Sequence, residues 1–275
     1  AIATMGFRGE ALASISAVSH LTLMTCQPGA SEGTKVSRGG AEKKWQIDPW
    51  QGPAGTQFVI EDLFYNVPVR KKFLKSAQTE YAYCHEIVQA IGLANPHLMI
   101  NLIHNGKEKL SFFPTLSSSP SQEVAFLGEG VLRERVAQLY GEELVSQLLY
   151  VCEQNQYGRI EGLISPPGVE KPSTKSMNCF VNGRWVKDKI IRFGFLRGYH
   201  SHLLKGRYPV VVAYLNMDPS LVDVNVHPSK TEVRFQYGED VQGLIAQAVR
   251  KKLRNEEGSI YRDGERVISV TAEKS

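Results

Sequence analysis

Apolar residues recur along this chain at two spacings, and the changes of spacing mark its elements. Leu12, Ile15 and Val18 stand three apart, which predicts a helix over 10–18 fed by the glycine loop Gly6-Phe7-Arg8-Gly9. A β run follows at 21–26. Residues 27–40, rich in Gly, Ser and Pro, read as a turn or mobile loop, and the alternation at 56–60 reads as a strand. Beyond a polar turn at 64–68, a helix is expected over 79–94, closed by Asn95-Pro96. Residues 99–104 and 109–113, joined around Asn105-Gly106, form a hairpin with the dipeptide that type I′ turns prefer. The Ser-rich stretch 115–121 breaks the pattern and is the expected domain boundary. After it come helices at 131–140 (148 at its furthest), 188–204 and 240–255, and strands at 149–153, 159–164, 178–181 and 210–216. Residues 256–275 are polar without helical periodicity and read as the start of a linker or a frayed terminus. Two domains mixing helices and strands fit this order.

A length of 275 residues allows one large domain or two ordinary ones. Apolar residues at 42% and charged residues at 22% are globular values, which exclude collagen-like, low-complexity and wholly disordered chains. No window approaches the ~20 apolar residues that span a bilayer, and the first six residues lack a secretory pattern, so a soluble cytoplasmic protein without a membrane partner is expected. Cys26, Cys84, Cys152 and Cys179 form no C-x-x-C pair and read as reduced structural thiols. The histidines, His227 included, stand at no ligand spacing, so no metal ligand is expected in this chain.

A net charge of +4 names no partner, but its distribution does. Between 184 and 207 stand seven basic residues against the single acid Asp188, and smaller clusters lie at Arg70, Lys71, Lys72 and Lys75 and at Arg250, Lys251, Lys252 and Arg254. Arg184, Lys187, Lys189, Arg192 and Arg197 thereby form a stripe suited to DNA phosphates. In the helix over 188–204, Lys189, Arg192 and Phe193 share a side, while Ile190, Phe193, Leu196 and Arg197 fall at core-facing intervals. The aromatic residues among these charges do not recur regularly enough for base stacking, so recognition is expected through the backbone and without sequence preference. The Gly6–Gly9 loop can offer backbone N–H groups and a helix dipole to phosphate, with Arg8 adding a charge, whereas no P-loop motif occurs.

The run Gly6-Phe7-Arg8-Gly9-Glu10-Ala11-Leu12 resembles the signature of the MutL family of DNA mismatch-repair ATPases, part of the GHKL class that includes gyrase B and histidine kinases. Gly55-Thr56 with Asp62-Leu63-Phe64-Tyr65-Asn66-Val67-Pro68-Val69-Arg70-Lys71-Lys72-Phe73 resembles the family's next motif. Val181-Asn182-Gly183-Arg184 and Val222-Asp223-Val224-Asn225-Val226-His227-Pro228-Ser229-Lys230 resemble two motifs of its second domain. The resemblance implies an α/β fold of the α+β type: an incomplete GHKL ATPase sandwich at 1–118, a transducer-like second domain with a ribosomal-protein fold at 119–255, and the start of a linker at 256–275. It implies ATP binding at Gly6, Phe7, Arg8, Gly9, Glu10, Ala11, Leu12 and Thr56, a catalytic Lys230 reaching the terminal phosphate, and DNA binding at Lys189 and its basic neighbours. Glu10, at a helix start, serves the N-terminal dipole and receives no general-base role.

The family's water-activating glutamate, its magnesium-holding asparagine and its adenine-reading Asp-Gly-x-Gly loop are expected in a segment upstream of Ala1, so the chain reads as a fragment inactive by itself. Mg2+ is then a cofactor held by that upstream segment. The implied partners are DNA, a second copy of the protein in a homodimer, and mismatch-recognition and downstream repair proteins. The alternative reading is a stand-alone nucleic-acid-binding module without ATPase activity.

Overall fold

The computed structural model describes residues 10–38, 45–115, 127–223 and 232–272, with backbone alone at 10 and 257–272. The chain divides into two compact units, 1–81 and 82–275.

The first unit holds helix α1 (Glu10–Ser16), strands β1 (His20–Cys26), β2 (Gly33–Arg38), β3 (Gln46–Trp50) and β4 (Gly55–Glu61), the short helix α2 (Pro68–Lys72) and the start of α3 (Ala77–Ala94). The strands form an antiparallel sheet in the order β3-β2-β1-β4. Its register sets Ile47, Val36, Leu23 and Phe58 in one row across the sheet. Directly paired residues share a face, so this row and the Leu21–Ile60 pair two residues along make that face apolar.

Strand β2 corrects the expectation of a turn or mobile loop over 27–40. The turn is confined to its first part, where Ala30 N–H donates to the Gln27 carbonyl and Gly29 takes a φ of 80°. The chain then lies so close to β1 that a Cβ on Gly33 would stand 2.3 Å from the Thr25 carbonyl oxygen. β3, at the sheet edge, was also unannounced: Pro49 lacks an N–H and suits an edge.

The second unit is built on a five-stranded sheet in the order β11-β10-β13-β8-β7. Along the chain come hairpin β5 (Ile100–His104) and β6 (Lys107–Phe112), helices α4 (Gly128–Tyr140) and α5 (Glu142–Gln147), and strands β7 (Leu149–Asn155), β8 (Gly158–Ile164), β9 (Glu170–Lys171), β10 (Met177–Val181) and β11 (Arg184–Val186). Helix α6 (Lys189–Tyr199), strands β12 (Tyr208–Pro209), β13 (Val211–Asn216), β14 (Val222–Asp223) and β15 (Arg234–Phe235), and helix α7 (Gly238–Ala272) complete it. Only β10 and β13 pair in parallel within the large sheet.

Alternation along the strands gives this sheet two buried faces. Val151, Ala213, Cys179 and Val186 face a core shared with Ile191, Phe195, Ile245 and Val249 of α6 and α7. Leu163, Val212, Phe180 and Tyr214 face a core completed by Leu93 of α3, Phe112 of β6 and Leu132 and Val136 of α4. Residues 82–115 thus pack within the second unit, and the compact division falls earlier than the sequence break at 115–121.

α4 ends at Tyr140, the nearer of the two expected ends, where Gly141 at φ 82° separates it from α5. Two later helix ends differ from expectation. α6 stops at Tyr199 rather than 204 because His200 takes a φ of 44° and a 3-10 turn follows. α7 keeps helical backbone to Ala272, where a linker from 256 was expected.

Candidate nucleic-acid interface

The basic segment is organised by one hairpin turn, one helix cap and one glycine pair. Asn182 (φ 48°) and Gly183 (φ 76°) form the left-handed pair of a tight hairpin that turns β10 into β11. Asp188 then caps α6, its Oδ1 accepting from the amides of Ile190 at 2.7 Å and Ile191 at 3.2 Å. Burial holds the Asp188 carboxyl above the usual carboxylate range, with those amides pulling the other way. The only acid of the segment is therefore engaged at the helix start.

Which side of α6 faces solvent is decided by Gly194 and Gly198. A Cβ on Gly194 would lie 2.9 Å from Ile245 Cβ, and one on Gly198 would lie 2.6 Å from Val249 Cβ, so bare backbone is what lets α6 approach α7. The buried side is accordingly Ile191, Gly194, Phe195, Gly198 and Tyr199. This corrects the expectation that Ile190, Phe193, Leu196 and Arg197 face the core: Ile190 and Leu196 are partly buried, Arg197 is exposed and Phe193 is 50% exposed. Lys189, Phe193 and Arg197 follow one another at successive turns of the exposed side.

The five predicted contacts differ in their surroundings. Lys189 and Arg197 are exposed. Arg192, partly buried, sets its guanidinium 5.5 Å from the centroid of the Phe193 ring. Arg184, also partly buried, pairs across the turn with Val181. Lys187 is engaged: its Nζ lies 2.7 Å from Glu86 Oε2 on α3 and 4.6 Å from the Trp185 ring centroid. The structure gathers four of the predicted cations around α6 and the β10–β11 turn, and it adds Glu86, which no local pattern signalled.

For the nucleotide group, Gly6, Phe7, Arg8, Gly9 and Lys230 lie outside the described residues, and Glu10 is described by its backbone alone, as the first residue of α1. Ala11 and Leu12 are exposed on α1. Thr56 sits on β4 directly opposite Thr25, with their Oγ1 atoms 2.9 Å apart, and Thr25 Oγ1 also donates to the Gly55 carbonyl at 3.3 Å. The 62–67 loop is fixed by Phe64 N–H to the Val18 carbonyl (2.7 Å) and Asn66 Nδ2 to the Ala17 carbonyl (2.9 Å), with Asp62 and Phe64 at positive φ.

All four cysteines are free thiols, and burial pushes Cys179 up to about 12. Among the described residues no group of three or more His, Cys, Asp or Glu is placed to hold a metal ion. No described helix is long and apolar enough to cross a membrane.

This arrangement of mixed sheets and helices has the fold of known repair-protein domains. A crystal structure of the N-terminal domain of a DNA repair protein matches with a TM-score of 0.72 at 21% identity, covering 94% of this chain and 78% of that one. The Aquifex aeolicus MutL ATPase domain complexed with ADP matches with a TM-score of 0.60 at 24% identity, covering 86% of this chain and 77% of that one. Residues 136–254 match the family described as "DNA mismatch repair protein, C-terminal domain". The DNA mismatch repair protein MutL of Streptococcus pneumoniae serotype 19F (strain G54) is 37% identical over 256 residues. HexB of S. pneumoniae serotype 4 (strain ATCC BAA-334 / TIGR4) is identical to the same extent. The alignment takes in 93% of this chain and spans 37% of the length of each of these relatives. The chain belongs to the MutL family of DNA mismatch repair proteins.

Proposed function

We propose that this chain is the part of a DNA mismatch-repair protein that holds DNA phosphates on α6 and the β10–β11 turn. The observation that carries this reading is the solvent side of α6, where Lys189 and Arg197 flank Arg192 and Phe193 while Asp188 is spent on the cap. Cations presented in that way bind a polyanion through its backbone and read no sequence. In the wider protein, the Gly6–Gly9 amides, Ala11, Leu12, Thr56 and Lys230 would bind ATP, with 1–118 as the later part of the ATPase domain and 119–255 as the second domain. The paired Thr25 and Thr56 hydroxyls suit the polar groups of a nucleotide. Lys230, a point charge on a flexible stem, would reach the terminal phosphate. Nucleotide binding would then couple the two domains, and a homodimer would enclose DNA and engage mismatch-recognition and downstream repair proteins in the cytoplasm.

Fluorescence anisotropy with labelled oligonucleotides of several sequences tests the DNA contact. Lys189→Glu and Arg197→Glu should each lower affinity alike for every sequence. Unchanged affinity in both variants removes α6 from the interface.

A further inference from the structure

Beside the start of α6 lies a pocket of about 300 Å3. That is the lower end of the size range of small-molecule sites. Its walls combine Tyr83 and Glu86 of α3 with Asn178 of β10, Trp185 of β11, Lys187 between β11 and α6, and Arg192 of α6. Tyr83 is 53% exposed. The Trp185 indole N–H is buried with no hydrogen-bond partner among the described residues.

Arg192 belongs to this pocket and also lies against the exposed ring of Phe193. Lys189 and Arg197 stand one turn before and one turn after Phe193, about 6 Å along the axis in each direction. An exposed aromatic ring set among three cations, next to an aromatic-walled pocket that shares one of them, is the chemistry of a single-strand platform: cations for the phosphates and π faces for the bases. In a duplex the bases are stacked on each other and cannot reach either surface.

We propose that this surface is a subsite for unpaired nucleotides, with one base stacked on Phe193 and its neighbour entering the pocket between Tyr83 and Trp185. The proposal rests on the reading that α6 holds DNA phosphates and adds what that reading lacks, a preference for unpaired DNA. One exposed ring held among cations suffices for stacking where no repeating aromatic pattern exists.

The test uses the 275-residue chain and three labelled probes of one sequence: a single-stranded 15-mer, the same strand with abasic sites at its centre, and the duplex. Phe193→Ala, at an exposed position, should weaken the single strand by roughly 5- to 150-fold, the range for losing one stacked base. It should leave the abasic strand and the duplex within twofold of the parent. Tyr83→Ala should weaken the single strand alone, to a smaller degree. Lys189→Glu should weaken all three probes. A Phe193→Ala variant that binds all three like the parent, or loses all three equally, overturns the subsite while the Lys189→Glu response leaves the phosphate stripe standing. Indifference of all probes to Lys189→Glu sinks the phosphate reading itself. Preferential, Phe193-dependent binding of an acidic peptide bearing one phenylalanine, over the single strand, assigns the surface to a protein partner and overturns the proposal.

Discussion

Lys187, just after β11, and Glu86 of α3 form an ion pair of 2.7 Å, with the lysine ammonium also lying 4.6 Å from the Trp185 ring centroid. One cation of the stripe is thus already matched within the protein, and a DNA phosphate competes with Glu86 for it. A partly exposed pair of this kind is worth at most about 1 kcal/mol, so the competition is modest. Glu86→Gln should raise DNA affinity about two- to fivefold at low salt and steepen the salt dependence by about 0.9 in log–log slope, one further phosphate contact. Anisotropy titrations of the variant and parent at several salt concentrations read both; affinity and slope equal to the parent's would leave Lys187 outside the interface.

Gly198 offers a sharper test of how α6 is seated. Alanine is intrinsically better than glycine in a helix by about 1 kcal/mol. Here the added Cβ would lie 2.6 Å from Val249 Cβ, so packing opposes propensity. Gly198→Ala should destabilise the fold by the about 1–3 kcal/mol typical of an overpacked core and so lower the thermal midpoint, and thermal unfolding followed by circular dichroism decides it. A rise in the midpoint would mean that α6 stands further from α7 than described.

The seating of α6 also marks where the sequence stops being legible. Its apolar residues allow two buried sides, one through Ile190, Phe193 and Leu196, the other through Ile191, Phe195 and Tyr199. The choice depends on Gly194 and Gly198 meeting Ile245 and Val249, partners far along the chain that no local period reveals. Strands with an apolar row or a marked turn were readable: β1 as a β run, β4 by alternation, and β5–β6 by Asn105-Gly106. The same dipeptide at Asn182-Gly183 is the local signal for β11. β2 and β3 were hidden because residues such as Lys35, Ser37 and Pro49 carry little β preference and are held by pairing with their neighbours. Within the site, the identity of the cations was readable, whereas the Glu86 pairing and the exposure of Phe193 required the tertiary structure.

Arg135 predicts a large stability effect. It is fully buried in α4 and donates to the carbonyls of Gly92 (2.8 Å), Leu98 (2.9 Å), Phe113 (2.8 Å) and Asn95, and to Gln138 Oε1 at 3.0 Å. Burial pulls its guanidinium down to about 10, which leaves it charged at neutral pH. Its charge is met by carbonyls at and just beyond the C-terminal turn of α3, where the helix dipole is negative. Arg135→Met would strand several of these acceptors at about 1–3 kcal/mol each. A loss of at least about 3 kcal/mol in urea unfolding is expected, and a loss below about 1 kcal/mol would contradict this bonding.

Glu161 makes stability depend on pH. It is 2% exposed on β8, Oε1 accepts from Gly128 N–H at 2.8 Å, and Oε2 is buried with no hydrogen-bond partner among the described residues. Burial raises its pKa, against the opposing Gly128 amide and Arg159. A raised folded-state pKa means that the folded chain holds the proton more tightly than the unfolded one. This contribution is therefore complete below the unfolded value of about 4.3 and is lost as pH rises through the folded value. Glu161→Gln keeps an acceptor for Gly128 without an ionisable proton. The variant should be more stable than the parent at pH 8 and approach it near pH 4.5, as read from urea midpoints. A variant less stable than the parent at pH 8 would show that the carboxylate is favourably held.

The salt dependence of DNA binding is the most direct measurement of whether this chain holds DNA through α6. With Arg184, Lys189, Arg192 and Arg197 on phosphates, log Kobs against log salt should fall with a slope of about −3 to −4 on duplex DNA. The double variant Lys189→Glu/Arg197→Glu should bind every sequence more weakly, with the slope reduced in magnitude by about 2. A parental slope near zero, or a double variant with the parent's slope and affinity, would contradict the phosphate-binding role assigned to this face.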